Sequence, residues 1–81
     1  MSDDIRRIVA RVLGLPMEQV SDDAGPDVLP GWDSVAHLDI VLSVETERGV
    51  HFQPETFATL TSVRALDEAA RDLARRRAGA Q

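Results

Sequence analysis

The stretch Gly31-Trp32-Asp33-Ser34-Val35-Ala36-His37-Leu38 decides the fold of this chain, because there a connection broken by proline and glycine turns into an apolar-rich helical pattern. Asp33 is a preferred helix N-cap, its carboxylate able to accept the unpaired amide N–H groups of the first turn. Ser34 then takes the first helical position, on the solvent side, at the positive end of the helix dipole. Unpaired backbone donors and that dipole favour an anion, a phosphate group above all, and a serine hydroxyl can carry one covalently. The dipole is worth only about 0.3–1 kcal/mol at an exposed site. That favours a product anion but does not activate the hydroxyl, so modification of Ser34 requires an external enzyme.

Upstream, Ile5, Ile8, Val9, Val12 and Leu13 follow the helical i, i+3, i+4, i+7, i+8 spacing. Ser2 or Asp3 can cap this first helix, with Asp3 and Asp4 placed well for its dipole. Arg6, Arg7 and Arg11 fall on the opposite face, in water. Gly14 suits the position after the helix, and Pro16 forbids continuation. Residues 15–33 then form a long connection with no predicted regular element, a feature often tied to function. Its Leu15, Val20, Val28, Leu29 and Trp32 are expected to pin it onto the helices.

The second helix, residues 34–48, carries two apolar stripes. His37, Ile40, Val41 and Val44 should face the core. Val35, Leu38 and Leu42 line an adjacent face beside Ser34, which a small domain either leaves exposed or covers with the long connection and the third helix. Exposed apolar residues bordered by Asp39, Glu45 and Glu47 read as a docking surface. Gly49 ends this helix, and Val50, His51 and Phe52 run extended to Pro54, which opens a short turn with Phe57 and Leu60 pointing inward. Thr61 or Ser62 caps the last helix, whose apolar face is Val63, Leu66, Ala69, Ala70 and Leu73. Arg71, Arg75, Arg76 and Arg77 load its end with charge that suits the dipole. Gly79 onward is expected to fray.

The 81 residues are expected to form a single domain, ordered over about residues 3–75. A chain this short has no room for a deep, water-excluding catalytic cavity. Nine basic residues, all arginine, against fourteen acidic ones leave a net charge of −5. Such a balance disfavours nucleic acid and anionic membrane and favours partners with basic surfaces. No cysteine is present, so disulfides and thiolate metal sites are excluded. No apolar run is long enough to span a membrane, and no basic-then-apolar leader opens the chain. The expectation is a cytoplasmic, monomeric domain.

The run Trp32-Asp33-Ser34-Val35, continued by Leu38-Asp39-Ile40-Val41-Leu42-Ser43-Val44-Glu45, Val50-His51-Phe52 and Leu60-Thr61-Ser62-Val63, resembles an acyl carrier protein over nearly the whole chain. The resemblance implies an all-α, four-helix acyl-carrier-like bundle of three main helices, a short third helix and a long first loop. It also implies a covalent 4'-phosphopantetheine arm on Ser34, loaded from coenzyme A by a phosphopantetheinyl transferase. Acyl intermediates would ride on that arm as thioesters between acyl-loading and acyl-processing enzymes.

Asp33 and Val35 complete the attachment motif, Val35 standing where the family has leucine. Leu38, Asp39, Leu42 and Glu45 would form the partner face with Val35. His37, Ile40, Val44, Phe52 and Leu60 would line a cargo cavity. Arg48 sits where such carriers place a large apolar residue and Phe57 where they place a small one. The ring is therefore expected to fill the space beside the Arg48 stem, with the guanidinium in water.

Ala36, Thr46 and the short Asp39 depart from the acidic positions of fatty-acid carriers, which points to a discrete carrier of a polyketide or mixed secondary-metabolite pathway. Peptidyl and aminoacyl carriers share the arm but usually carry a Gly-Gly pair and His or Asp before the serine, where this chain has Gly31-Trp32-Asp33. An unmodified helical interaction domain is the other alternative. Catalysis is not expected. Ser34 and His37 could meet on one helix, but no orienting acid, oxyanion site or Gly-x-Ser-x-Gly elbow accompanies them. His37 and His51 lack metal-ligand spacing, and no basic recognition helix suggests DNA binding.

Overall fold

The computed structural model describes residues 2–79, which form helix α1 over Asp3–Leu13, helix α2 over Ser34–Arg48 and helix α3 over Val63–Gly79. Short 3₁₀ segments at Met17–Gln19 and Pro54–Thr59 interrupt the two connections, and no strand occurs among the described residues. The architecture is the acyl-carrier-like helical bundle, with the short third helix realised as 3₁₀ turns opened by Pro54. Helix α3 continues beyond residue 75 and includes Gly79, so the fraying expected from Gly79 onward does not begin at that residue; residues 80 and 81 lie outside the described residues.

One core joins the three helices. Ile5, Ile8 and Val9 of α1, Ile40, Val41 and Val44 of α2, and Val63, Leu66 and Ala70 of α3 are buried together. Burying each larger aliphatic side chain contributes about 1.5–3 kcal/mol, so these faces supply the main stabilisation of a domain this small. Gly14 and Gly49, both left-handed at φ 68° and 63°, end α1 and α2 as expected and let the next amide return to the last turn. The second stripe of α2 stays open: Val35 is 79% exposed, Leu38 47% and Leu42 48%.

The first connection is held more firmly than its composition suggests. Val20, Ala24 and Trp32 are buried. Arg6 does not stand in water as expected. Its guanidinium reaches back from α1 to the carbonyls of Val20 at 2.5 Å and Met17 at 3.1 Å, satisfying two carbonyls of the connection. At the other side, the carbonyls of Ala24 and Asp22 accept the Val63 and Arg64 amides at 3.0 and 2.8 Å. The loop thereby supplies acceptors for the free N–H groups of the α3 N-terminus, and Ser62 Oγ accepts a third from Ala65 at 3.0 Å. Gly25 lies so close to this junction that a Cβ would stand 2.0 Å from the Thr61 carbonyl oxygen.

Other expectations are corrected by the tertiary contacts. Val28 is exposed and does not pin the loop. Ser2 sits at the α1 N-cap, yet its hydroxyl donates to Asp22 at 2.5 Å instead of closing the helix. Arg48 does not rest over Phe57. The Phe57 carbonyl meets His37 near the start of α2, whereas Arg48 ends that helix eleven residues on, roughly 16 Å away at 1.5 Å per residue. The Arg48 guanidinium is not in water but between helices, paired with Asp4 of α1 at 2.5 Å and Asp67 of α3 at 2.7 Å.

Candidate functional site

Asp33 leaves extended backbone and caps α2 through its own side chain, Oδ1 accepting the Ala36 amide at 2.9 Å. The cap starts the helix at Ser34, so the serine stands exposed on the first turn. Its amide and that of Val35 belong to the helix end that has no intrahelical acceptor. Oγ has no hydrogen-bond partner among the described residues. A phosphate ester here would face solvent and the positive end of the helix at once. The donors and the open hydroxyl therefore fit such a group.

Beneath Ser34 lies a polar chain that the sequence did not disclose. The indole Nε1–H of Trp32, a residue only 2% exposed, donates to Nδ1 of His37 at 2.9 Å. Because an indole can only donate, Nδ1 must be the accepting nitrogen. Nε2 of the same ring lies 2.8 Å from the Phe57 carbonyl, which can only accept, so Nε2–H is the donor. His37 is thus held as the neutral Nε2–H tautomer, bridging the loop, α2 and the 3₁₀ turn. Both its nitrogens are committed, so it has none to offer Ser34 as a general base. Ser34 and His37, which could have met on one helix, are not paired.

A groove of about 260 Å³ runs beside the serine, bounded by Pro26 of the loop, Asp33, Ser34 and His37 at the start of α2, and Ala58 and Thr61 opposite, with Trp32 in its wall. Its lining is mostly apolar. Pro26, Ala58 and Thr61 carry no motif; they join the site only through the fold.

The residues expected to form a partner face divide. Val35, Leu38 and Leu42 are exposed on one stripe and Asp39 borders it. Arg11 of α1 reaches this edge as well, with Ser43 Oγ at 3.5 Å, and a second cavity of about 310 Å³ between α1 and α2 includes Arg11 and Leu42. Glu45 departs from the expectation. Its side chain is 12% exposed and its carboxylate accepts the Phe57-side connection's Phe52 amide at 2.7 Å, with His51 Nδ1 3.4 Å away. It anchors the second connection and is not displayed with the leucines.

The five residues expected around one cargo cavity are also separated. His37 borders the Ser34 groove. Ile40 and Val44 are sealed in the core, while Phe52 and Leu60 line a different cavity of about 260 Å³ against Ala69 and Leu73 of α3. No described cavity joins them, because Ile40 and Val44 are fully covered by packing from the other helices.

Among the described residues no group of three or more His, Asp or Glu side chains is placed to hold a metal ion, and no helix is long and apolar enough to cross a membrane. A family model described as a phosphopantetheine attachment site matches residues 3–69 of the chain.

Proposed function

This chain belongs to the phosphopantetheine-attachment family, and on that premise we propose that it is an acyl carrier protein whose arm is esterified to Ser34. The family domain is the attachment site of covalent 4'-phosphopantetheine, and its members are carriers served by phosphopantetheinyl transferases and biosynthetic enzymes. The observation that carries the Ser34 assignment is its position: an exposed hydroxyl on the first turn of α2, directly after the capping Asp33.

In loading, Ser34 Oγ attacks the β-phosphorus of coenzyme A. A new P–O bond forms, the bond to 3',5'-adenosine bisphosphate breaks, and the serine proton passes to a base on the transferase. The arm's terminal thiol supplies thioester chemistry when bound. Asp33 holds the helix start in register through the Ala36 amide, and the free first-turn amides favour the ester's negative charge by about 0.3–1 kcal/mol. Val35, Leu38 and Leu42 give partner enzymes an apolar patch, and Asp39 offers a carboxylate to basic residues beside it.

The departures at Ala36, Thr46 and Asp39 support a polyketide or mixed pathway over general fatty-acid synthesis. Intact mass after incubation with coenzyme A and a broad-specificity transferase tests the assignment: one arm's mass is gained, and Ser34→Ala gains none. A gain surviving that substitution removes Ser34 as the anchor. Efficient loading by an aminoacyl-adenylating enzyme would overturn the acyl reading, and turnover by fatty-acid ketosynthases as fast as with their own carrier would overturn the pathway reading.

A further inference from the structure

We infer that the groove beside Ser34 is a subsite for the branched, methyl-bearing segment of the arm next to its phosphate, not for the acyl cargo; this rests on attachment at Ser34. Reach comes first. Ser34 itself forms part of the groove wall, so the atoms of an esterified arm that lie nearest Oγ are the ones within reach of the groove. In a phosphopantetheine ester those are the phosphate, one methylene and the quaternary carbon with two methyl groups. The thiol and its acyl group lie at the far end of the arm.

Chemistry agrees with reach. The lining is mostly carbon. Its two polar rings are already spent on each other and on backbone, Trp32 Nε1–H on His37 Nδ1 and His37 Nε2–H on the Phe57 carbonyl. Asp33 Oδ1 is occupied by the Ala36 amide. What remains to meet a ligand is mostly carbon, the edges of the two rings, the Pro26 ring and the methyl groups of Ala58 and Thr61, together with two polar groups, the other Asp33 oxygen and the Thr61 hydroxyl. The carbon surfaces suit geminal methyls. A hydroxyl or amide laid on that carbon would lose hydration, and could find a partner only at Asp33 or Thr61.

Size points the same way. At about 260 Å³ the groove falls below the roughly 300–1,000 Å³ of pockets that engulf a whole small molecule. It accommodates a short branched segment and leaves the rest of the arm outside. The phosphate would turn outward, away from the Asp33 carboxylate and toward the free amides of the first turn.

The test uses the intact chain, isotope-labelled and loaded from coenzyme A, with intact mass recorded on the same sample. Expected are nuclear Overhauser contacts from the arm's geminal methyls to the Ala58 and Thr61 methyls. The amides of Ala58 and Thr61 and the single tryptophan indole N–H should also shift relative to the unloaded chain. Loading from a coenzyme A analogue lacking the two methyls should abolish those contacts and return most of the shifts. Full loading with no methyl contact overturns the subsite and leaves the carrier reading intact. So does an octanoyl-loaded sample in which Ala58 and Thr61 contact acyl methylenes in place of the geminal methyls. Failure to gain mass at Ser34 overturns both readings together.

Discussion

Trp32 donates its indole N–H to His37 Nδ1 at 2.9 Å, so the only tryptophan of the chain and the histidine one turn into α2 hold each other beneath Ser34. The ring centroids are 6.0 Å apart and tilted by 33°, which makes the contact a hydrogen bond between ring edges and not a stack. His37 passes the connection on to the Phe57 carbonyl at 2.8 Å. The end of the first connection, the first turn of α2 and the distant 3₁₀ turn meet at one imidazole.

Replacing that imidazole exposes what it does. His37→Ala leaves the buried indole N–H and the Phe57 carbonyl without their partner, at a cost of about 1–3 kcal/mol for each group that water does not reach. Urea denaturation of the unloaded chain should show a loss of that order, with altered tryptophan fluorescence in the native baseline. Unchanged stability would mean that the bridge contributes nothing to holding the loop.

The Arg48 junction predicts a pH dependence. The hydrogen bond from Arg48 holds the Asp4 carboxyl below its usual range, against the opposing effect of burial, and the same contact raises the guanidinium further. A carboxyl whose folded pKa is depressed adds stability that is fully present above its unfolded value, near 3.8. That stability is lost as pH falls through the lower, folded value. The gap in unfolding free energy between the native chain and Asp4→Asn should therefore be constant above about pH 5 and close progressively below about pH 4. A gap that widens on acidification would contradict the pairing.

Gly25 should tolerate no side chain. The atom a new Cβ would meet at 2.0 Å is the Thr61 backbone oxygen, which cannot swing aside as a side chain could. Gly25→Ala must move the loop away from the start of α3, where Ala24 and Asp22 supply acceptors. Overpacking of this kind costs about 1–3 kcal/mol, a fall of at least about 4 °C in the melting temperature of a domain this size. A melting temperature within 1 °C of the native value, as a rough bound from the same scaling, would show that the junction yields freely.

Val35 and Leu38 should separate stability from docking. Both are exposed, so Val35→Glu and Leu38→Glu are expected to change unfolding free energy by no more than about 0.5 kcal/mol. Turnover of the loaded chain by a partner enzyme should fall about tenfold or more, the equivalent of roughly 1.4 kcal/mol of interface binding. Lost stability with retained turnover would assign the stripe to packing.

The amino-acid sequence by itself determined the helical framework. The spacing of Ile5, Ile8 and Val9, of Ile40, Val41 and Val44, and of Val63, Leu66 and Ala70 marks the faces that became the core, since helical periodicity is a local property. Gly14, Gly49 and Asp33 marked the helix ends for the same reason: caps and left-handed turns depend on neighbours along the chain. The exposed start of α2 at Ser34 follows from these signals too.

Only the tertiary structure decided which distant groups share that end. Pairing Trp32 with His37 and Phe57, bringing Ala58 and Thr61 opposite Ser34, drawing Arg6 onto the Val20 carbonyl and Arg48 between Asp4 and Asp67, and turning Glu45 toward Phe52 all depend on how three helices cross. Arginine and glutamate carry no periodic signature of their partner. Once packing removes them from water, each must find whatever donor or acceptor the folded chain brings within reach.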